Sequence, residues 1–307
     1  MAAAALVAAV VAGSQAASGH PLPTARACPL FPANNQWNLP VDKLPVASNS
    51  ATLVHSIGAG SPVHPDFGSG LYNGQPIGIP YTVVSGRRHK VRVRFQYSDE
   101  SDRGPYPIPS NVPIEGGRSS DGDRHALIVD KSRCRLYELY ALYPPSGGHG
   151  WTAGSGAIWN LRSNRLRPAT WTSADAAGLP ILPGLARYDE VRRGSIDHAL
   201  RFTVPDTRKA FIYPARHSAS DSSDPSLPAM GQRFRLKASF DISGFPRQAR
   251  IVLQALKRYG MIVADNGSPW YISGAPNRGW NNDDLHQLGR VTGSDFEAVD
   301  TSSLPRP

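Results

Sequence analysis

The chain has 307 residues, with 33 Lys or Arg against 24 Asp or Glu and a formal charge of +9. Gly (29) and Pro (28) are abundant and only 19% of residues are charged, which excludes a coiled coil, a helical bundle and a highly charged disordered chain. With 40% hydrophobic residues the chain can bury one large core or two moderate ones, and its Gly- and Pro-punctuated composition points to a β-rich globular fold.

Ala2 to Ala12 is an apolar run too short to cross a bilayer. Small residues follow it, with cleavage-site character at Ser14-Gln15-Ala16 and at Ala25-Arg26-Ala27. This reads as a signal peptide over 1–27, so the mature protein is expected to be secreted. No later stretch reaches 18 apolar residues, so no membrane span is expected. Cys28 and Cys134, the only cysteines, match neither a zinc site nor a Cys-x-x-Cys pair. In an oxidising compartment they are expected to form one disulfide. Lipid attachment at Cys28 is disfavoured, because Ala25 stands where a lipobox prefers Leu. No repeat or linker divides residues 28–307, which read as one domain with an N-terminal arm over about 28–85.

Lys90 to Tyr97 alternates, with Val91, Val93, Phe95 and Tyr97 on one face, as in a half-buried strand. Ala126–Val129 and Cys134–Leu142 read as a hairpin turning at Asp130–Arg133. Further strands are expected at Leu200–Val204, Ala210–Tyr213, Arg233–Ile242, Met261–Ala264 and Trp270–Ser273. The last two flank Asp265-Asn266-Gly267-Ser268, a hairpin signal because Asn-Gly accepts positive φ. Apolar residues at three and four predict a helix from Pro246 to Tyr259, with Ser243 available as a cap and Gly260 as a stop. A shorter helix is expected over Leu185–Arg193, ended by Gly194. Many strands and few helices favour an all-β-dominated fold, an antiparallel β-sandwich or jelly roll with one or two short helices.

Several groups could carry chemistry. Asp175 and Asp265 are the preferred carboxylate pair for glycosidic cleavage, in which one acid is protonated and the other ionised; Asp189, Glu190, Asp283 and Asp284 are weaker candidates. Glu138 shares register with Leu136, Tyr140 and Leu142, and an inward carboxylate needs a partner or a raised pKa. His217 and His198, each close to an arginine, are candidate acid–base groups. Arg233, Arg235 and Lys237 share one strand face, expected to be wet or to line a cleft. With Arg201 and Arg216 they would hold hydroxyls or anionic groups of a ligand. Trp159, Trp171 and Trp280 stand in polar, loop-like contexts that suit stacking on sugar rings.

Cys28–Trp37, Glu100–Pro109, Ser155–Asp175 and His198–His217 resemble a set of exported bacterial proteins of actinobacterial style with no activity assigned. The resemblance implies export and a single β-rich domain, and supplies no catalytic residues. The Gly-x-Ser-x-Gly, His-Glu-x-x-His, P-loop and Glu-x-Asp-x-x-Glu signatures are absent. The expected function is an exported carbohydrate-active enzyme that cleaves glycosidic bonds of an extracellular polysaccharide. The alternatives are a lyase on an anionic glycan, with His217 or Tyr213 as base and Arg201, Arg216 or Lys237 neutralising a uronate, or a non-catalytic wall-binding module. No cofactor, metal or nucleic acid is expected: basic residues are dispersed, and no nucleic-acid-binding motif occurs.

Overall fold

The computed structural model describes residues 20–147 and 150–306. Most of the expected signal peptide lies outside the described residues. His20–Ala27 lies within them and packs onto the fold: Leu22 and Ala25 are buried, and His20 Nε2 sits 2.6 Å from Asp197. Cleavage at Ala25-Arg26-Ala27 would remove these contacts, whereas cleavage at Ser14-Gln15-Ala16 would keep them.

In chain order the strands are β1 (His64–Asp66), β2 (Leu71–Tyr72), β3 (Gln75–Pro76), β4 (Tyr81–Val84), β5 (Val93–Phe95), β6 (Ala126–Asp130), β7 (Arg135–Tyr140), β8 (Trp151–Ala153), β9 (Ser155–Asn160), β10 (Leu200–Val204), β11 (Arg233–Leu236), β12 (Met261–Asn266), β13 (Tyr271–Ser273) and β14 (Phe296–Ala298). The α-helices are α1 (Ser50–Gly58), α2 (Tyr188–Arg193), α3 (Arg247–Arg258) and α4 (Asn282–His286). A mixed sheet of six strands runs β1-β13-β10-β12-β11-β14, and a second of four runs β4-β6-β7-β9. No described helix is long and apolar enough to cross a membrane.

β6 is buried along its whole length because both faces of the four-stranded sheet are covered, which explains its unbroken Ala-Leu-Ile-Val run. Leu127, Val129, Leu136 and Trp159 pack with Leu22, Leu30 and the Cys28–Cys134 disulfide. Ala126, Ile128, Tyr137 and Leu139 pack with Val93, Tyr106 and Trp151 on the other side. The six-stranded sheet has its own core, where Trp270 stacks on Phe202 and Phe296 and meets Phe234 edge-on. The buried stripe Ala249, Val252, Leu253 and Leu256 of α3 joins that core, each of the larger side chains contributing about 1.5–3 kcal/mol by burial. Gly260 ends the helix at φ +67°, where a Cβ would collide with the Phe234 carbonyl.

The strand-rich character, the few short helices, the disulfide, the β6–β7 hairpin and α3 match expectation. A sandwich or jelly roll is not confirmed, because each large sheet has its own core cluster and parallel pairs (β1–β13, β10–β12, β4–β6) occur among antiparallel ones. Ala210–Tyr213 forms no strand, only the bridge Phe211–Met230. Gly267 does not close a β12–β13 hairpin; β10 lies between those strands, pairing parallel with β12 and antiparallel with β13. The connecting loop arches over the end of β10, with Gly267 N–H donating to the Val204 carbonyl.

β11 departs most from expectation. All four of its residues are buried, and its arginines clasp the N-terminal arm. Arg233 donates to the carbonyls of Gln36, Leu39 and Tyr259, and Arg235 to those of Val41 and Leu44 and to Glu297. The strand ends at Leu236 rather than at the expected Ile242, and residues 36–44 lie across its polar face, so that only Arg235 reaches a hollow, beside Pro40, Leu44 and Lys257. Lys237 lies just beyond β11, half-buried, donating to the Ser294 carbonyl.

Candidate functional site

By alternation along β12, Asp265 shares parity with Met261 and Val263, which point into the core. The β10–β12 register prevents that. Phe202 pairs with Val263 but Thr203 pairs with Asp265, so Ala264 is the extra residue of a bulge that moves Asp265 onto the face of Arg201 and Thr203. Arg201 is buried in the middle of β10. Its Nε and Nη2 grip both oxygens of Asp175 at 2.9 and 2.8 Å, Nη2 also reaches Asp265 Oδ2 at 3.0 Å, and Nη1 donates to Ser273 Oγ at 2.6 Å.

Asp175 arrives on the loop 172–178, which is tied down on several sides. Ser155 Oγ and His125 Nε2 bond the carbonyls of Ser173 and Ala174. Ala177 N–H donates to the Ala264 carbonyl, and Ser173 Oγ accepts from Asp175 N–H. Gly178, at φ +69°, lies against the Trp171 carbonyl and the Arg216 side chain, leaving no room for a Cβ. The result is a cavity of about 410 Å³ lined from both large sheets, with Tyr97, Glu100, Asp123, Tyr140, Asp265 and His217 on its walls and the 172–176 loop as another side.

The electrostatics are uneven. Burial and the neighbouring Asp175 push the Asp265 carboxyl up to about 7, against the opposing pull of Arg201. Its side chain remains 24% exposed, while that of Asp175 is fully enclosed. His125 is buried with Nδ1 at 2.5 Å from Glu115 Oε2 and Nε2 at 2.9 Å from the Ala174 carbonyl. Both of its nitrogens face acceptors, the arrangement of an imidazolium. Burial opposes that charge, but Glu115 raises the His125 pKa to about 9. Burial likewise acts to raise Glu115, and His125 outweighs it and holds it low. Glu115, Asp123 and His125 are close enough together to hold an ion, for which His125 would offer Nδ1 while Nε2 keeps its bond to the Ala174 carbonyl. His217 donates from Nδ1 to the Ala176 carbonyl at 2.7 Å, which leaves Nε2 as its remaining polar atom.

Of the candidates named from sequence, Asp175, Asp265 and His217 line this cavity, with Arg201 buried behind the two aspartates, and the others lie elsewhere or serve the fold. His198 is buried, its Nε2 3.1 Å from Glu190, which also pairs with Arg187 at 2.6 Å; this network anchors α2. Trp159 and Trp280 are buried, their Nε1 atoms donating to Glu138 and to the Ala275 carbonyl, so neither offers a stacking face. Trp171 is half-buried with the Arg167 guanidinium 5.4 Å from its ring centre. Arg216 donates to the Arg167 carbonyl. Glu138, pushed up to about 7 by burial, accepts from the backbone of Ile181 and Leu182 and from Trp159, and works as a clamp. Asp189 pairs with Arg193, and Asp283 and Asp284 sit in the first turn of α4. Sequence reasoning passed over Asp123, His125 and Glu115. The signal available for them was the polar run Asp121-Gly122-Asp123-Arg124-His125 abutting a wholly apolar strand. No family model, curated protein or solved structure matches the chain.

Proposed function

We propose that the protein is a secreted, glycan-cleaving hydrolase working by general acid–base catalysis. Asp265 is the acid and Asp123 the partner carboxylate. The observation that carries this reading is the pairing on one open cavity of a solvent-reachable carboxyl held up near 7 with an exposed aspartate. Asp265 gives its proton to the glycosidic oxygen as the bond from that oxygen to the anomeric carbon breaks. Asp123 takes a proton from the water whose oxygen forms the new bond at that carbon. Asp175 has both oxygens on Arg201 and is a positioning residue, fixing the arginine that orients Asp265. The hydroxyls of Tyr97, Tyr140 and Thr172 suit a sugar's hydroxyl groups. The disulfide favours an oxidising compartment, in line with export.

Uronate elimination is less well supported. It needs a cation free to meet the substrate carboxylate at the reacting unit itself, and at the Asp265 cavity Arg201 is taken up by Asp175, Asp265 and Ser273. Release of reducing ends from a panel of neutral and mixed polysaccharides tests the hydrolase reading. The wild type should cleave at least one, and Asp265→Asn and Asp123→Asn should each lose 10²-fold or more in turnover, the usual share of a proton-transfer group. A folded wild type that binds glycans but releases no product would instead identify a binding module. A fully active Asp265→Asn protein would overturn the assignment of the acid.

A further inference from the structure

Beside the acidic cavity lies a groove of about 670 Å³ of opposite character, lined by Arg135, Asn160, Arg165, Arg167 and Trp171. The two share a wall. Glu100 and Thr172 face the cavity, while Asp102 and Trp171 face the groove. Thr172 N–H donates to Glu100 Oε2 at 2.9 Å, and Arg167 stitches the wall together through the Thr172 and Glu100 carbonyls and Asp102. Asp102 Oδ2 accepts from Arg167 at 2.6 Å and from the Ile158 N–H at 2.8 Å, so its charge is paired with Arg167 rather than with Arg135 or Arg165. Arg135 and Arg165 are exposed, and neither guanidinium has an acceptor among the described residues. Arg135 is held at the head of β7 opposite Asn160 of β9. The groove therefore presents two uncommitted guanidinium forks and a half-open indole, the equipment for a carboxylate carried on a sugar ring.

Resting on the hydrolase reading, we propose that the groove is a subsite for an acidic sugar. The substrate is then a mixed glycan, with a neutral unit in the Asp265 cavity and a uronic acid on the neighbouring unit. The juxtaposition selects against uniform polyanions. A polyuronate or a nucleic acid carries an anion on every unit and would press one of them against Glu100 and Asp123, where like charges repel. A neutral glycan would leave Arg135 and Arg165 unused.

Calorimetric titration of the full-length Asp265→Asn protein, which cannot turn substrate over under this reading, tests the proposal. The probes are a hyaluronan hexasaccharide (alternating neutral and acidic units), hexagalacturonate, cellohexaose and a six-nucleotide oligo-dT. The hyaluronan fragment should bind at least tenfold tighter than the other three at about 50 mM salt, and the advantage should shrink at about 500 mM as the Debye length shortens. The double variant Arg135→Ala/Arg165→Ala removes guanidiniums with no hydrogen-bond or ion-pair partner among the described residues, and should erase the advantage. Arg165→Glu should reverse it. Equal binding of hyaluronan and cellohexaose, tightest binding of hexagalacturonate or oligo-dT, or an undiminished advantage in the double variant would each overturn the proposal. Its failure is separable from that of the hydrolase reading. Selective binding with no cleavage by wild type sinks only the catalytic assignment; cleavage of the mixed glycan at an unchanged rate by the double variant sinks only the subsite.

Discussion

Asp265→Asn separates function from stability in a way few active-site changes do. In the unfolded chain an aspartate ionises near 3.8, whereas in the fold burial and Asp175 raise Asp265 to about 7. A raised folded pKa means that the native state holds the proton more tightly. This contribution is therefore fully present below about 3.8 and is lost as pH rises through about 7. Taken at face value the gap of about three pKa units, at 1.36 kcal/mol each, corresponds to roughly 4 kcal/mol withdrawn by pH 8. Part of that is shared with Asp175, and the side chain is partly solvated, so about 1–2 kcal/mol is the expected size. Asparagine cannot ionise, yet its amide oxygen can still accept from Arg201 Nη2. The variant should thus be more stable than wild type at pH 8, by roughly 2–8 °C in melting temperature for a domain this large, with the difference fading toward pH 4–5, while turnover is lost. Thermal melts of both proteins across pH 4–9 read this directly. A variant less stable than wild type at pH 8, or a difference that does not change with pH, would refute the placement of a strained, protonatable carboxyl at Asp265.

The other expectations concern parts that hold the site. Replacing His125 by Asn should flatten the fall in stability that wild type shows between about pH 6.5 and 9, because a His raised to about 9 contributes below 6.5 and is spent as pH passes 9; melts over that window check it. Glu138→Ala leaves the Ile181, Leu182 and Trp159 N–H groups without their acceptor, and should cost at least about 3 kcal/mol in urea unfolding. Arg235→Ala should destabilise by about 2–4 kcal/mol through loss of the Val41, Leu44 and Glu297 contacts, and leave turnover per folded molecule unchanged; denaturation and rate assays on one preparation distinguish the two effects. Cys134→Ser should lower stability by roughly 2–5 kcal/mol, visible as a lower melting temperature that matches reduced wild type.

Local signals were legible where the physics is local. The stripe and the Gly stop of α3 depend only on helical period and on one left-handed residue. The β6–β7 hairpin depends on two strands joined by a short turn, and the disulfide on there being only two cysteines to pair. What failed depended on distant chain. Arg233 and Arg235 alternate as a solvated face would, and nothing within β11 says that residues 36–44 will lie across it and supply carbonyls to both guanidiniums. Trp159 and Trp280 sit in polar surroundings because their Nε1 atoms needed acceptors inside the core, not because their rings face water. Asn266-Gly267 does make a reversal, but β10 enters the space a tight hairpin would close. Asp175 and Asp265 were paired from residue type alone, while the bulge at Ala264 that brings Asp265 to Arg201 has no sequence mark.

Two carboxyls in this fold are pushed up as far as about 7, and comparing them shows why one of them is the candidate acid. Glu138 and Asp265 are both pushed up to about 7, both chiefly by burial. Glu138 is fully enclosed, and its oxygens are occupied by two backbone N–H groups and an indole. A proton placed there has no substrate to reach, and the cost of burial is offset by pinning residues 181–182 and Trp159. Asp265 has Oδ2 on Arg201 and Oδ1 on the Asn266 N–H, but its side chain is open to a cavity. The same physical cause therefore yields a structural clamp in one place and an exchangeable proton in the other, and access decides between them. Arg201 sharpens the contrast, because it is shared by two carboxylates and can fully neutralise only one. Asp175, gripped through both oxygens and shut from solvent, takes that charge. Asp265 is left as the member of the pair for which protonation is the cheaper state, and the bulge that carries it off the core face is what gives that proton a way out.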